Sequence, residues 1–256
     1  MLIVVDTETT GLNTKTCDII EIAACPVGDD QVKSMLVNPM EPIPEEVVNI
    51  TNITDEMVED HAPLIEAFPE IAKMLHLDDN PYFIAHNAPF DRNVMIHNFK
   101  RIGFSDDDLG FLAQDRWICT NRLSRKEFRD TPRCKSTKLT EMQKFLNLDV
   151  PESNIAHRAG ADVLTCMRLF EWFQDKHPEY SSEDWVDFCW EGYQIIRFPF
   201  GKHKGKKLLD IPTDYFVWLF ENIDSLNPEN DNFDKDLYTS ISKEIDRRVE
   251  TMGIEV

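Results

Sequence analysis

No stretch of these 256 residues is apolar for long enough to cross a bilayer, so a membrane-spanning chain is not expected. The first apolar run is interrupted at Asp6, too early for the core of a secretory signal, and the expected location is the cytoplasm. The six cysteines, Cys17, Cys25, Cys119, Cys134, Cys166 and Cys189, nowhere form a CxxC pair. That spacing argues against the common zinc and dithiol motifs and for reduced thiols. Internal repeats and low-complexity tracts are missing too. Positive charge is scarce: 27 Lys and Arg against 47 Asp and Glu leave a net charge of −20. Such a surface does not bind nucleic acid indiscriminately, although a local basic track is still open to it. With 42% hydrophobic and 29% charged residues, the length suits one full-sized domain and a small appendage.

What is present begins with MLIVVDTETTGL. Leu2 to Val5 reads as a buried strand, and Asp6 and Glu8 follow it with the i, i+2 spacing that aims two side chains to one side of an extended chain. Two carboxylates at one point suit a hard divalent cation, but an acidic pair at a strand end also serves as turn chemistry. Asp18 to Val27 and Gln31 to Val37 read as two more strands of an antiparallel meander, and Leu64 to Leu75 has helical period. Tyr82 to Ala85 is a short strand running into Asn87, an N-cap candidate, and Pro89 in the first turn of a helix that carries Asp91 and ends near Arg101. Arg116 to Cys119 is a further strand, Leu139 to Leu148 a helix, and Ala156 to Asp175 an amphipathic helix with His157 at its start and Asp162 five residues on. Taken singly, Asp91 and Asp162 read as helix carboxylates and His157 as a capping or surface histidine. The expected architecture is α/β over residues 1–177, then a linker over 178–196 with room for one short helix in Tyr180 to Tyr193, and a small α+β module over 197–256. That module has a glycine-turned hairpin at Phe198 to Leu209, an aromatic helix at Asp214 to Asn222 and a charged last helix.

Together, the acidic pair after the first strand, the acid of HNAPFD and the His and Asp of HRAGAD make four carboxylates and one histidine in a fixed order. This set resembles the DEDDh group of 3′-to-5′ exonucleases, matching it as Asp6 and Glu8, then Asp91, then His157 and Asp162. RWICT at Arg116 to Thr120, FGKHKGK and WLFENIDSLNPE extend the resemblance to exodeoxyribonuclease X-like members of that group, with Gly103 to Gln114 and Phe128 to Ser136 as longer loops. The resemblance implies a ribonuclease H-like mixed sheet flanked by helices, with the site at one edge of the sheet. It implies two Mg²⁺ ions, replaceable by Mn²⁺, held by Asp6, Glu8, Asp91 and Asp162, with Asp6 bridging and His157 as general base. The products would be nucleoside 5′-monophosphates released from DNA 3′ ends, in repair or degradation. Phosphodiester hydrolysis needs an activated water and stabilisation of both the crowded phosphorus and the leaving oxygen, work for which oxygen-ligated hard cations are suited.

By the same resemblance Thr7, Thr9, Gly11 and Leu12 lie where the terminal nucleotide binds, with Leu12 against the last base, Phe90 nearby and Asn87 as a further contact. Leu12 and Phe90 also suit core packing, and Asn87 a helix cap. Two basic elements suit the phosphate backbone. Arg122 to Lys144 carries eight basic residues against three acidic, and Arg197 to Leu209 carries five, including Lys202, Lys204, Lys206 and Lys207, with no acid. The alternatives are an exoribonuclease of the same chemistry and a proofreading or accessory subunit docked on a polymerase or repair partner through Tyr215 to Phe220. The sequence is silent on oligomeric state.

Overall fold

Leu2–Thr9 forms a strand, β1, longer than its apolar run because a second apolar strand, β2 (Ile19–Pro26), pairs with it antiparallel through the acidic pair, Asp6 opposite Ala23 and Glu8 opposite Glu21. The computed structural model describes residues 1–29, 31–128, 131, 133–150, 159–230 and 233–251, which fall into two units, Met1–Trp190 and Glu191–Val256.

In the first unit, β3 (Lys33–Leu36) extends the meander, while β4 (Tyr82–Ala85) and β5 (Trp117–Cys119) add in parallel, giving the order β3-β2-β1-β4-β5. Pairing of β1 with β4 stops at Val4 and Ile84, so β1 carries Asp6 and Glu8 past the end of its parallel neighbour. The helices are α1 (Glu45–Thr51), α2 (Asp55–Val58), α3 (Leu64–Met74), α4 (Ala88–Arg101), α5 (Thr120–Phe128), α6 (Leu139–Leu146), α7 (Ala159–Lys176) and α8 (Ser182–Trp190). Helix α7 packs on β1 and β2, and α4 on β1 and β5. This is the expected mixed sheet flanked by helices.

The connecting segment, where one short helix is expected, contains α8, which buries Trp185, Val186 and Cys189 in the core of the first unit. It begins with a reciprocal cap: the Ser181 hydroxyl donates to Asp184 at 2.7 Å and accepts the Asp184 N–H at 3.2 Å. Helix α5 lies in the basic segment and escaped an apolar-period reading because half its buried stripe, Thr120 and Ser124 beside Leu123 and Phe128, is polar.

In the second unit, an antiparallel bridge between Arg197 and Lys207 closes a loop turned at Gly201 and Gly205, both at positive φ. Helices α9 (Thr213–Asn222) and α10 (Lys235–Thr251) pack Phe216, Leu219, Leu237 and Ile241 against Phe198 and Leu208 of that loop. The β content expected of this module is, among the described residues, that single bridge. No helix among the described residues is long and apolar enough to cross a membrane.

Candidate active site

The carboxylates of Asp6, Glu8 and Asp162 converge, one oxygen from each lying within 4.8 Å of the others. Strand alternation puts Asp6 and Glu8 on one side of β1, and the packing of α7 across β1 and β2 brings Asp162, in its first turn, to the same point. Oxygens around one Mg²⁺ lie about 3 Å apart when adjacent and about 4.2 Å apart when opposite, so a cluster within 4.8 Å is of the size that a divalent cation gathers. The site lies toward the carboxyl end of β1, the central strand, beyond the last pairing of β1 with its parallel neighbour β4.

Asp91 enters from the first turn of α4 and is buried, its Oδ1 accepting both the Thr7 N–H (3.1 Å) and the Thr7 hydroxyl (2.9 Å). Burial raises its pKa to about 7 against the lowering effect of those two hydrogen bonds, with Asp162 adding a smaller upward push. Asp6 is raised well above the usual carboxylate range, first by burial and then by Asp91, Asp162, Glu8 and Glu21. A concentration of like charge held together by the fold is the environment that a divalent cation neutralises.

The expected substrate contacts divide. Thr7 is buried and directs both its N–H and its hydroxyl to Asp91, which makes it a positioning residue for that carboxylate. Thr9 is also buried, and its hydroxyl donates to the Gly11 carbonyl at 2.7 Å, shaping the loop. Arg101 holds the far end of that loop by donating to the Cys17 carbonyl and to Asp18, each at 2.7 Å. Leu12 is 88% exposed at the tip and is not core. Gly11 has neither a positive φ nor an atom within 4 Å of a Cβ placed on it, so nothing inside the chain demands glycine there. Phe90 is half-buried against the core. Asn87 occupies the N-cap position of α4 with no capping hydrogen bond from its side chain, which is exposed. His157 lies outside the described residues.

The basic segment also divides. Arg122 donates to the Cys189 carbonyl at 3.0 Å and lies over Trp190, while Lys126 donates to the Phe188 carbonyl and lies over the Phe188 ring. These two cations hold the carboxyl end of α8, where helix carbonyls attract positive charge. Arg125, Arg133, Lys135 and Lys138 are exposed.

A fifth carboxylate was passed over in the sequence. Glu21, buried at 2% exposure, accepts the Ser34 hydroxyl at 2.6 Å and the Ala159 N–H at 3.2 Å, tying β2 and β3 to the first residue of α7. The signal was there: an acid inside the apolar run DIIEIAACPV. His86 was likewise overlooked. Its Nε2 donates to the Thr137 carbonyl at 2.8 Å, which leaves Nδ1 to accept from the Thr120 hydroxyl at 3.0 Å. Burial lowers its pKa to about 4 and keeps the ring neutral. Because Glu21 seats the start of the helix bearing Asp162, Glu21→Ala is expected to lower kcat on the order of tenfold with little change in KM. Glu21→Gln, which keeps an acceptor for Ala159, should recover most of the rate, and steady-state kinetics on one DNA substrate reads both.

Residues 3–170 match a family model described as exonuclease, and residues 194–223 a short model described as a putative quorum-sensing-regulated virulence factor. Exodeoxyribonuclease 10 of Escherichia coli K12 is 30% identical over 237 residues, 90% of this chain and 94% of that protein. A structure of exonuclease X in complex with 5′ overhanging duplex DNA superposes with a TM-score of 0.54 at 27% identity, covering 74% of this chain and 99% of that one. Escherichia coli exonuclease I in complex with a dT13 oligonucleotide shares the fold at 17% identity and a TM-score of 0.58, over 69% of this chain and 41% of that one.

Proposed function

This chain belongs to the exonuclease family, and on that premise we propose how its own residues carry out the reaction. It is a metal-dependent 3′-to-5′ exodeoxyribonuclease that releases nucleoside 5′-monophosphates from DNA ends. The convergence of Asp6, Glu8 and Asp162, with Asp91 beside them, is the observation that carries the assignment of roles. Asp6, Glu8, Asp91 and Asp162 would hold two Mg²⁺ ions, or Mn²⁺ in their place, because an all-oxygen set suits small hard cations. When bound, such a pair activates the attacking water and stabilises both the pentacovalent phosphorus and the leaving 3′ oxygen.

His157 acts as general base in this proposal: it takes the proton of the attacking water as the new P–O bond forms and the P–O3′ bond breaks. Imidazole is the side chain chemically suited to accept a proton near neutral pH. Thr7 keeps Asp91 oriented through its two hydrogen bonds. Leu12, projecting from the loop that Thr9 and Arg101 brace, meets the terminal base, with Gly11, Phe90 and Asn87 around it. Apolar contact with a base face is indifferent to base identity, so digestion proceeds through any sequence. Lys202, Lys204, Lys206 and Lys207 neutralise backbone phosphates of the strand. Six free thiols suit a cytoplasmic protein.

The test is digestion of 5′-labelled single-stranded DNA, duplex DNA and RNA of one sequence, with Mg²⁺ and with EDTA. Mg²⁺-dependent ladders shrinking from the DNA 3′ end are the expected result. Shortening of RNA alone would overturn the choice of substrate and leave the chemistry in place.

A further inference from the structure

The second unit holds an open cavity of about 610 Å³ lined by Lys202, His203, Pro212, Asp214, Tyr215 and Trp218. Its wall is an aromatic shelf. Tyr215 and Trp218, one turn apart on α9, stack with centroids 5.6 Å apart and planes at 16°. The inner ring, Tyr215, is fixed: His203 meets it edge-on at 4.5 Å, Phe198 at 5.8 Å, and Lys202 Nζ lies 4.6 Å over it. The loop approaches so closely that a Cβ on Gly201 would come within 3.3 Å of the Tyr215 hydroxyl, and Gly201 sits at φ +61°. The outer ring is different. Trp218 is 47% exposed, although its helix buries Phe216 completely and Leu219 beside it.

Burial of apolar surface does not account for an indole left half in water on a rigid tyrosine platform, when neighbouring aromatics of the unit are in the core. Beside it runs the loop with five basic residues and no acid, in a chain of net charge −20. Lys202, Lys204, Lys206 and Lys207 are all exposed. A flat π-face next to a row of cations matches one ligand chemistry, an unpaired base carried on a phosphate backbone. The same lysines disfavour a cationic ligand for the shelf, and the one acid, Asp214, whose Oδ1 accepts the Tyr215 N–H at 2.9 Å, marks the side of the cavity suited to the base and not to its phosphate.

We propose that this cavity is a second DNA site, in which an unpaired base of a single strand stacks on Trp218 while Lys202 and the neighbouring loop lysines neutralise the adjoining phosphates. It deepens the exodeoxyribonuclease reading, on which it rests for the choice of DNA as the strand. Carried in the same chain as the catalytic unit, the site raises the local concentration of the strand between successive cleavages.

The experiment measures binding of fluorescein-labelled oligo(dT) and of a blunt duplex to the full-length protein in EDTA, where nothing is cut, by fluorescence anisotropy. Trp218→Ala is expected to weaken oligo(dT) binding about tenfold, the scale of one lost base–aromatic stack. Trp218→Phe, which restores a π-face, should recover most of it, and blunt duplex binding should stay unchanged in both. Lys202→Gln should lower the slope of log K against log salt by about 0.7, one phosphate contact on a single strand. Thermal melting of each variant separates loss of fold from loss of contact. Equal oligo(dT) affinity for the alanine, phenylalanine and parent proteins overturns the proposal, as does a loss of equal size on blunt duplex. A change in self-association by sedimentation with DNA affinity intact would make the shelf a protein contact and overturn it too. Mg²⁺-dependent laddering by the parent protein reports on the exonuclease reading separately, so either can fail alone.

Discussion

Asp6→Asn is expected to lower DNA hydrolysis on the order of a thousandfold or more and, in the same protein, to raise the melting temperature of the metal-free form. The first effect follows from removing one charge from the carboxylate set proposed to hold the ions, whose contribution to phosphoryl transition states amounts to several kcal/mol. The second follows from the electrostatics of the folded chain. Asp6 is buried near Asp91, Asp162, Glu8 and Glu21, and both it and Asp91 resist ionisation. A carboxyl with raised proton affinity in the folded state costs nothing below its unfolded pKa of about 4. The cost grows as pH rises, for Asp91 toward its folded value of about 7, and Asp6 is raised in the same direction by burial and by its neighbouring carboxylates. The metal-free protein should therefore lose stability from pH 5 to pH 8, and Asp6→Asn should lose less. Relief of ~2 kcal/mol corresponds to roughly 4–8 °C for a unit of this size. Mg²⁺ should raise the melting temperature of the parent most at pH 8, where the carboxylates are ionised and bind it best. Scanning calorimetry of both proteins at pH 5.5 and pH 8, with Mg²⁺ and with EDTA, checks all of this; a variant no more stable than the parent in EDTA would refute the account of mutual repulsion.

Arg248→Ala is expected to unfold the second unit at ordinary temperature while the first keeps its fold. All five donors of this guanidinium are in use. Nε donates to Glu244 at 2.8 Å, and Nη1 donates to the Ile211 carbonyl and the Thr213 hydroxyl, each at 2.8 Å. Nη2 donates to the Leu208 and Leu209 carbonyls at 3.0 and 3.2 Å, and the planar group lies 5.1 Å from the Phe216 ring centroid. One side chain thus fastens α10 to the turn that leads into α9. Removing it leaves carbonyls and a carboxylate without partners, a loss of about 3 kcal/mol and a large fraction of what so small a core supplies. Lys in its place cannot reproduce the fork. Glu244, which also accepts from Arg247, has its pKa lowered to about 2 by hydrogen bonds from Arg247 and Arg248, against some desolvation. Its contribution is present above pH ~4.5 and fades as pH falls toward 2, so the second unit should melt earlier in that window. Limited proteolysis of the variant should trim residues beyond Trp190 and leave the first unit whole. Resistance equal to that of the parent would show that Arg248 is an ordinary surface charge.

Neither Arg248 nor Glu21 stood out in the sequence, and for one reason. Arg248 is one charge among many in the helix read as simply charged, and what distinguishes it are carbonyls more than thirty residues earlier. Glu21 is marked only by its apolar neighbours, and its partner Ala159 is 138 residues away. Arg122 and Lys126 read as a phosphate track because a run of cations carries no information about whether a helix such as α8 will dock beneath it. Thr7 read as a substrate contact from its place between two acids, and its hydroxyl points to Asp91, 84 residues on.

Periodicity and punctuation, which are local, were enough to place β4, α3 and α9 nearly to the residue, whereas the four carboxylates, unremarkable one by one, stood out only as a set whose order resembles that of a known family. The order of those motifs along the chain determined the family and the chemistry. Which side chains hold them in place was decided only by the tertiary structure. A supporting hydrogen bond depends on where two distant backbones cross, and one sequence taken alone does not record that crossing.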